Sequence, residues 1–380
     1  MKPTLRGLIL CLGALAILLW GTGVLQSSEI QSTLRMCSDE KRHQPEPPPG
    51  QPVKVSFKYN DFDGGFHRFD CTIDSDFYQH ENSAFGFPVD HEALWHDLDD
   101  RLTDRIRSDI ESVVHWSKIK VDHKLPEEPV PAGGFLWSYR LHWEVAKAEE
   151  GIFINWKDEN LARVSNEVAV SYFAEKGFEL LPGQTSNKNS VVGSLEIDYE
   201  RLASEARTAT DDCYDRFVRE AGAGSREEIL RLLVAAFQEL CYQRPPQEED
   251  HLYKGELWVP AQVLGSGKSD CDSSAVAFFS FWQRTGVETV LLVEDLPIKL
   301  REKLPLELQI DNPDPKHALL GVNATRVGKQ STARVGLRDF VLFETLPLNP
   351  KLQVGDRLPA GKVARTVCMT DDCWGTSMLY

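Results

Sequence analysis

Residues 263–293 read VLGSGKSDCDSSAVAFFSFWQRTGVETVLLV, and their order implies a loop, a buried helix and a strand. Gly265 and Gly267 make the loop flexible. Ser269 or Asp270 is a good N-cap, residues 275–282 are apolar enough for a core helix, and Gly286 ends it. Residues 287–293 then form an apolar strand. Cys271 falls in the first turn of the helix. Unpaired backbone N–H groups and the positive helix end there favour a thiolate and predict a lowered pKa. This is the setting of a nucleophile. Asp270 and Asp272 flank it, with helix capping as the simple role for at least one of them. The string GSGKS is not a phosphate loop, because position 262, where such a loop needs glycine, is Gln262.

A cysteine nucleophile needs a base. Residues 252–380 contain one histidine, His317, opening the apolar run HALLGV. A further strand, RDFVLFET at 338–345, ends with Glu344. Neighbouring strands lie about 4.8 Å apart, so Glu344 can hold the imidazole of His317 if these strands pair. Trp258 and Gln262 are candidate side-chain donors to an oxyanion, beside the backbone N–H of Cys271. Residues 294–316 make a long connection directly before His317. It serves either as a substrate-binding wall or lid, or as an insertion packed on the surface.

Upstream, Ser225 and Glu228 make a capping box for a helix that runs to about Leu240 and stops before Pro245-Pro246. Residues 198–220 form another helix, closed by Gly222. Leu94, Leu98, Leu102, Ile106, Ile110 and Val113 predict an amphipathic helix within 90–120. Alternating apolar residues on both sides of Asp61–Gly65 predict a hairpin over 53–78. Residues 135–178 give no clear pattern, and 183–190 read as a loop. Residues 38–52 are Pro-rich and read as a stalk. Residues 7–25, GLILCLGALAILLWGTGVL, carry no charge and follow Lys2 and Arg6. At about 1.5 Å per residue they just span a hydrocarbon core of roughly 30 Å. No A-x-A site follows, which favours an anchor over a cleaved signal. The expected partition is an anchor at 1–25, a linker at 26–52, an α+β region of unassigned role at 53–193, a catalytic domain at 194–365 and a tail at 366–380.

The chain has 380 residues, 42% hydrophobic and 26% charged, as in ordinary globular proteins. This excludes a wholly disordered chain and a polytopic membrane protein. A net charge of −16 repels phosphate backbones, so nucleic acid is not an expected partner. Eight cysteines are too few for a disulfide scaffold, although an extracytoplasmic body permits disulfides. Cys368 and Cys373 suit a local disulfide better than a metal site, Cys213 and Cys241 on adjacent helices can pair, and Cys37 and Cys71 have no assignment. No cofactor and no metal site is expected.

The pattern G-x-G-x-x-D-C-x-D, a helix, a Gly-Val turn, an apolar strand, H-A-x-x-G-V and a strand-end E-T resembles the transglutaminase-like superfamily. It is carried here by Gly265–Asp272, Gly286-Val287, His317–Val322 and Glu344-Thr345. ELWVP (256–260), the hairpin and VGDRLP (354–359) resemble flanking parts of bacterial members. Leu319 stands where the family usually has Trp, and Glu344 where many members have Asp. The resemblance implies an α+β, papain-like core, with the nucleophile helix packed on an antiparallel sheet after an N-terminal transmembrane helix. It implies a Cys271–His317–Glu344 triad acting on amide bonds of a protein or peptide substrate through a thioester, as a cysteine peptidase or amidase rather than a crosslinker. The expected location is the bacterial inner membrane, with the body facing the periplasm and an envelope protein as a further partner. The alternative is a catalytically silent binding or scaffold module.

Overall fold

A computed structural model of the chain describes residues 33–38, 50–78, 91–115, 117–124, 134–182, 189–245, 257–296, 316–325, 329–358 and 361–370. Its elements in chain order are β1 (Thr33–Leu34), β2 (Val53–Asn60), β3 (Phe66–Ile73), α1 (His91–Ile110), β4 (Ser117–Lys124), β5 (Gly134–Val145), α2 (Glu150–Glu175), β6 (Phe178–Pro182) and β7 (Ser190–Ile197). There follow α3 (Tyr199–Ala221), α4 (Arg226–Phe237), β8 (Cys241–Tyr242), α5 (Pro260–Ser266), β9 (Lys268–Ser269) and α6 (Cys271–Trp282). The chain then runs through β10 (Thr289–Asp295), β11 (Lys316–Val322), β12 (Thr332–Val335), β13 (Arg338–Phe343), β14 (Leu348–Asn349) and β15 (Val363–Cys368).

Two layered units result. In the first, α1 and α2 pack on an antiparallel sheet of order β4-β5-β7-β6. In the second, α6 lies on an antiparallel sheet of order β12-β13-β11-β10-β15. Every residue of α6 from Ser273 to Trp282 is buried, as expected of a helix apolar on all sides. Phe278 meets Phe343 of β13 at 5.2 Å and Phe237 of α4 at 5.3 Å between ring centroids. Arg365 of β15 joins the units through Glu196 of β7 at 2.8 Å.

The hairpin β2–β3 forms as its alternation predicts, paired from Val53↔Ile73 to Asn60↔Phe66. Its turn is held by the Asp61 carboxylate, which accepts the Asp63 and Gly65 amides and meets His67 Nε2 at 2.8 Å. Gly64 there has φ +85°, a left-handed conformation that costs glycine little. The hairpin lies in the second unit, not with the rest of 53–193. Phe57 stacks on Phe69, Phe69 meets Phe217 of α3 edge-on, and Cys71 is disulfide-bonded to Cys213 of α3.

Other expectations are corrected. The 90–120 helix stops at Ile110, Val113 is exposed, and Ser117 already starts β4, the edge strand lying along α1. The second disulfide is Cys37–Cys241. Met36 bridges to Tyr242 beside it, so Cys241 is engaged by the N-terminal segment and not by Cys213. Cys373, the loop 183–188 and the 297–315 connection lie outside the described residues. The expected fold class included a transmembrane helix over 7–25. Among the described residues no helix is long and apolar enough to cross a membrane. Residues 7–25 lie outside them, so the expected transmembrane helix is not supported and the fold class is corrected to a mixed helix-and-strand chain.

Candidate active site

The loop before α6 turns on Gly267 at φ +66°, and Asp270 caps the helix by accepting the Ser273 amide at 3.2 Å. Cys271 is the first residue of α6. The residue is half-buried and packs against the apolar cluster that Tyr242, Leu346, Leu348, Leu352 and Leu358 form. The sulfur lies 3.9 Å from the Lys316 carbonyl oxygen and accepts from the Ala318 amide, so it is held against the backbone on both sides of His317.

His317 and Glu344 are joined directly. The β11–β13 register runs from Leu320↔Phe343 to Val322↔Val341; one step beyond it, Glu344 comes opposite Leu319, two residues along β11 from His317. Side chains two apart on a strand share a face. His317 Nε2 meets Glu344 Oε2 at 2.7 Å, and the other carboxylate oxygen accepts the Leu358 amide at 2.9 Å. Glu344 is fully buried and His317 nearly so. Among the described residues no hydrogen bond joins Cys271 to the His317 ring; Nε2 is engaged by Glu344, which leaves Nδ1 as the ring atom open to a thiol proton.

A surrounding frame holds the pair. Gln238, wholly buried, donates to the Glu344 and Leu352 carbonyls at 2.9 Å and accepts the Leu352 amide at 2.8 Å. Ser274 of α6 donates to the Thr345 carbonyl at 2.6 Å, fixing the nucleophile helix to the strand end. Glu294, opposite His317 in the β10–β11 register, binds Arg357 and the Gly361 amide. None of Gln238, Ser274, Glu294 or Arg357 stood out in the sequence. Ser274, Glu294 and Arg357 nonetheless lie within 263–293, 294–316 and VGDRLP, and Gln238 lies in the helix that runs to about Leu240.

The electrostatics reverse one expectation. Burial raises the Cys271 pKa well above the ordinary thiol value, and the charges of Asp272 and Asp270 raise it further. The Ala318 amide and Arg244 oppose this without overcoming it. A helix N-terminus favours a thiolate only where solvent or cations assist it, and here two carboxylates stand in the same turn. Asp270 is itself pushed up, first by burial and then by Asp272. For His317, burial disfavours the cation, but the charge and hydrogen bond of Glu344, with Glu294, outweigh it, and the net shift is upward. For Glu344, burial pushes upward, but His317, the Leu358 amide and Arg357 carry the net shift downward. The resting site therefore holds a neutral thiol beside an imidazole–carboxylate pair. Asp272→Asn removes one of the opposing charges and leaves Asp270 to accept the Ser273 amide, which Asp272 shares at 3.0 Å. Alkylation of Cys271 at neutral pH is expected to quicken by about 2–10-fold, since one pKa unit is a tenfold change in thiolate. Mass-spectrometric mapping of iodoacetamide adducts measures it.

Of the two candidate oxyanion donors, Gln262 turns its side-chain carbonyl onto the Val259 amide at 3.2 Å and serves the start of α5. Trp258 donates its backbone amide to Ser273 Oγ at 3.1 Å, so its backbone is tied to the first turn of α6. The Cys271 amide is among those a helix leaves without an intrahelical acceptor. Arg244 and Tyr242 complete the surroundings and hydrogen-bond to each other. Against known proteins, the chain matches no family model and no curated protein.

Proposed function

We propose that the chain is a thiol enzyme of transglutaminase-like type that acts on amide bonds of a protein or peptide, with hydrolysis favoured over crosslinking. The buried His317–Glu344 pair, with His317 on the strand whose backbone flanks the Cys271 sulfur, carries this reading. The thiol proton passes to His317 Nδ1 while the sulfur bonds to the amide carbon. The oxyanion so formed takes the Cys271 amide as a donor. His317 returns the proton to the nitrogen of the breaking C–N bond, which leaves as an amine and leaves a thioester. Water, deprotonated by the same imidazole, then adds to the thioester carbon, and the C–S bond breaks to give acid and thiol. Glu344 holds the ring and offsets its charge. An extracytoplasmic location accords with two disulfides, which persist in oxidising compartments.

A second reading, a silent binding or scaffold module, is favoured by the raised thiol pKa and by the sulfur's attachment to the Lys316 carbonyl instead of the imidazole. Alkylation of Cys271 in the folded full chain, across acid to mildly alkaline pH, separates the two. His317 keeps its proton above its ordinary 6.5, so it accepts the thiol proton only when the pH exceeds that raised value. An enzyme is expected to show a rate that climbs through neutral pH instead of levelling off in mild acid. His317→Ala should then slow it by about 10²-fold, the low end of a general base's contribution. Inertness of Cys271 throughout, with the fold intact, establishes the silent module.

A further inference from the structure

Away from the thiol site, the first unit brings three metal-binding side chains together. His96 and Asp99 stand one turn apart on α1 and so share a helix face. His123 lies near the end of β4, the strand that packs along this helix. One ligand atom from each of His96, Asp99 and His123 lies within 4.8 Å of the other two.

The cluster is built around a buried charge. Asp99 is 3% exposed, and both its oxygens are aimed. Oδ1 accepts from Trp137 Nε1 at 3.1 Å; Oδ2 accepts the His123 amide at 2.6 Å and meets His123 Nδ1 at 2.8 Å. The His96 and His123 rings stand edge to face, 5.0 Å between centroids. A buried carboxylate needs partners, and Trp137 with the His123 amide already supplies two neutral ones. What these do not account for is a second imidazole, His96, standing edge to face against the first. His96 itself is exposed, so its ring can turn.

We propose that His96, Asp99 and His123 bind a divalent transition-metal cation of the zinc class. Two imidazoles and one carboxylate suit zinc and its borderline neighbours, not calcium or magnesium, which take all-oxygen sets. Two adjacent ligand atoms, each about 2.1 Å from one tetrahedral ion, stand about 3.4 Å apart, so the 2.8 Å between Asp99 Oδ2 and His123 Nδ1 widens by about 0.6 Å on binding. Binding replaces the proton now shared between them, and rotation of His96 closes the third contact. The Trp137 indole and the His123 amide stay on the carboxylate as outer-shell donors that fix its direction. Because His96 faces solvent, the remaining coordination positions open outward, to water or to a ligand atom from another molecule. The ion would also tie α1 to β4, the edge strand of its sheet.

The test uses the full chain, freed of metal by a chelator and dialysed. Titration with zinc chloride in a calorimeter, checked by competition with a zinc-sensitive dye, is expected to show one saturable ion per chain. His96→Ala and His123→Ala should each weaken binding by at least about 10-fold, and Asp99→Asn by about 10–100-fold. Zinc should raise the unfolding temperature of the parent chain and leave that of His96→Ala unchanged. Cys271→Ser and His115→Ala should keep the parent affinity. Since the His96 side chain is exposed, its removal spares the fold, which circular dichroism checks. Absence of saturable binding, or undiminished binding by His96→Ala, overturns the proposal.

Discussion

Glu344→Ala is expected to cost about 3–5 kcal/mol of folding stability, the range for removing one partner of a buried ion pair. The substitution strands two buried donors at once, His317 Nε2 and the Leu358 amide. Against a total stability of about 5–15 kcal/mol for a typical domain, this brings the second unit close to unfolding. Urea midpoints of the two proteins measure it. Glu344→Gln should lose less, because an amide oxygen can still accept from Leu358. The loss also depends on pH in a definite sense. The Glu344 pKa is lowered in the fold, so its contribution is present above the ordinary 4.5 and fades as pH falls through the folded value. The His317 pKa is raised, so its contribution is full below the ordinary 6.5 and fades as pH rises through the folded value. The gap between parent and Glu344→Ala is therefore expected to be widest between pH 4.5 and 6.5 and to narrow on both sides. A pH-independent gap would mean that the two groups do not ionise as a pair.

The disulfides carry the second large effect. Cys37–Cys241 spans 204 residues and Cys71–Cys213 spans 142. Loop-closure entropy assigns each link about 5 kcal/mol, the top of the observed range. Serine at both members of either pair is expected to lower stability by about 3–5 kcal/mol, read from denaturant midpoints. The two loops overlap in sequence, so removing both links should cost less than the sum. Cys71–Cys213 ties the hairpin to α3, and its loss should expose the Phe57, Phe69 and Phe217 cluster to a hydrophobic dye. A pair of serines that leaves the midpoint unmoved would show that packing alone holds the hairpin.

Local signals were readable where neighbouring residues decide the structure. Asp270, Gly222 and Ser225 cap their helices by short-range hydrogen bonds or a left-handed turn, and Gly286 closes the 3₁₀ turn at 283–285 that follows α6; each was visible as a residue type in place. The Ser225–Glu228 box is partly displaced, because the Glu228 carboxylate reaches the Gly224 amide instead of that of Ser225. His317 and Glu344 could be singled out because each opens or closes an apolar strand. What sequence did not disclose came from contacts between distant segments. Gln238 looks like any polar residue ending a helix, yet it is buried and holds the Glu344 backbone. The partners of Cys37 and Cys71 lie 204 and 142 residues away, and no spacing rule reaches that far. The thiol shift depends on burial together with Asp270 and Asp272, and a helix-end argument that counts only backbone dipoles misses both. His96 and His123 escaped notice because α1 ends earlier than its periodicity suggests, and the chain turns back to lay β4 beside it.

The placement of the hairpin has a bearing on how the chain is made. Residues 53–73 leave the ribosome early, but the surfaces that cover them, α3 and α4, come after the whole first unit. At about 5–20 residues per second, the 142 residues between Cys71 and Cys213 take about 7–30 s to synthesise. During that interval a strand pair with one apolar face and a reactive thiol stands without its cover. β1 waits longer still for β14, near the other end of the described chain. Vectorial synthesis therefore cannot finish the second unit piece by piece. The first unit, whose elements are contiguous in sequence, can close while the nascent chain is still growing, whereas the thiol site assembles in one late step that needs both ends.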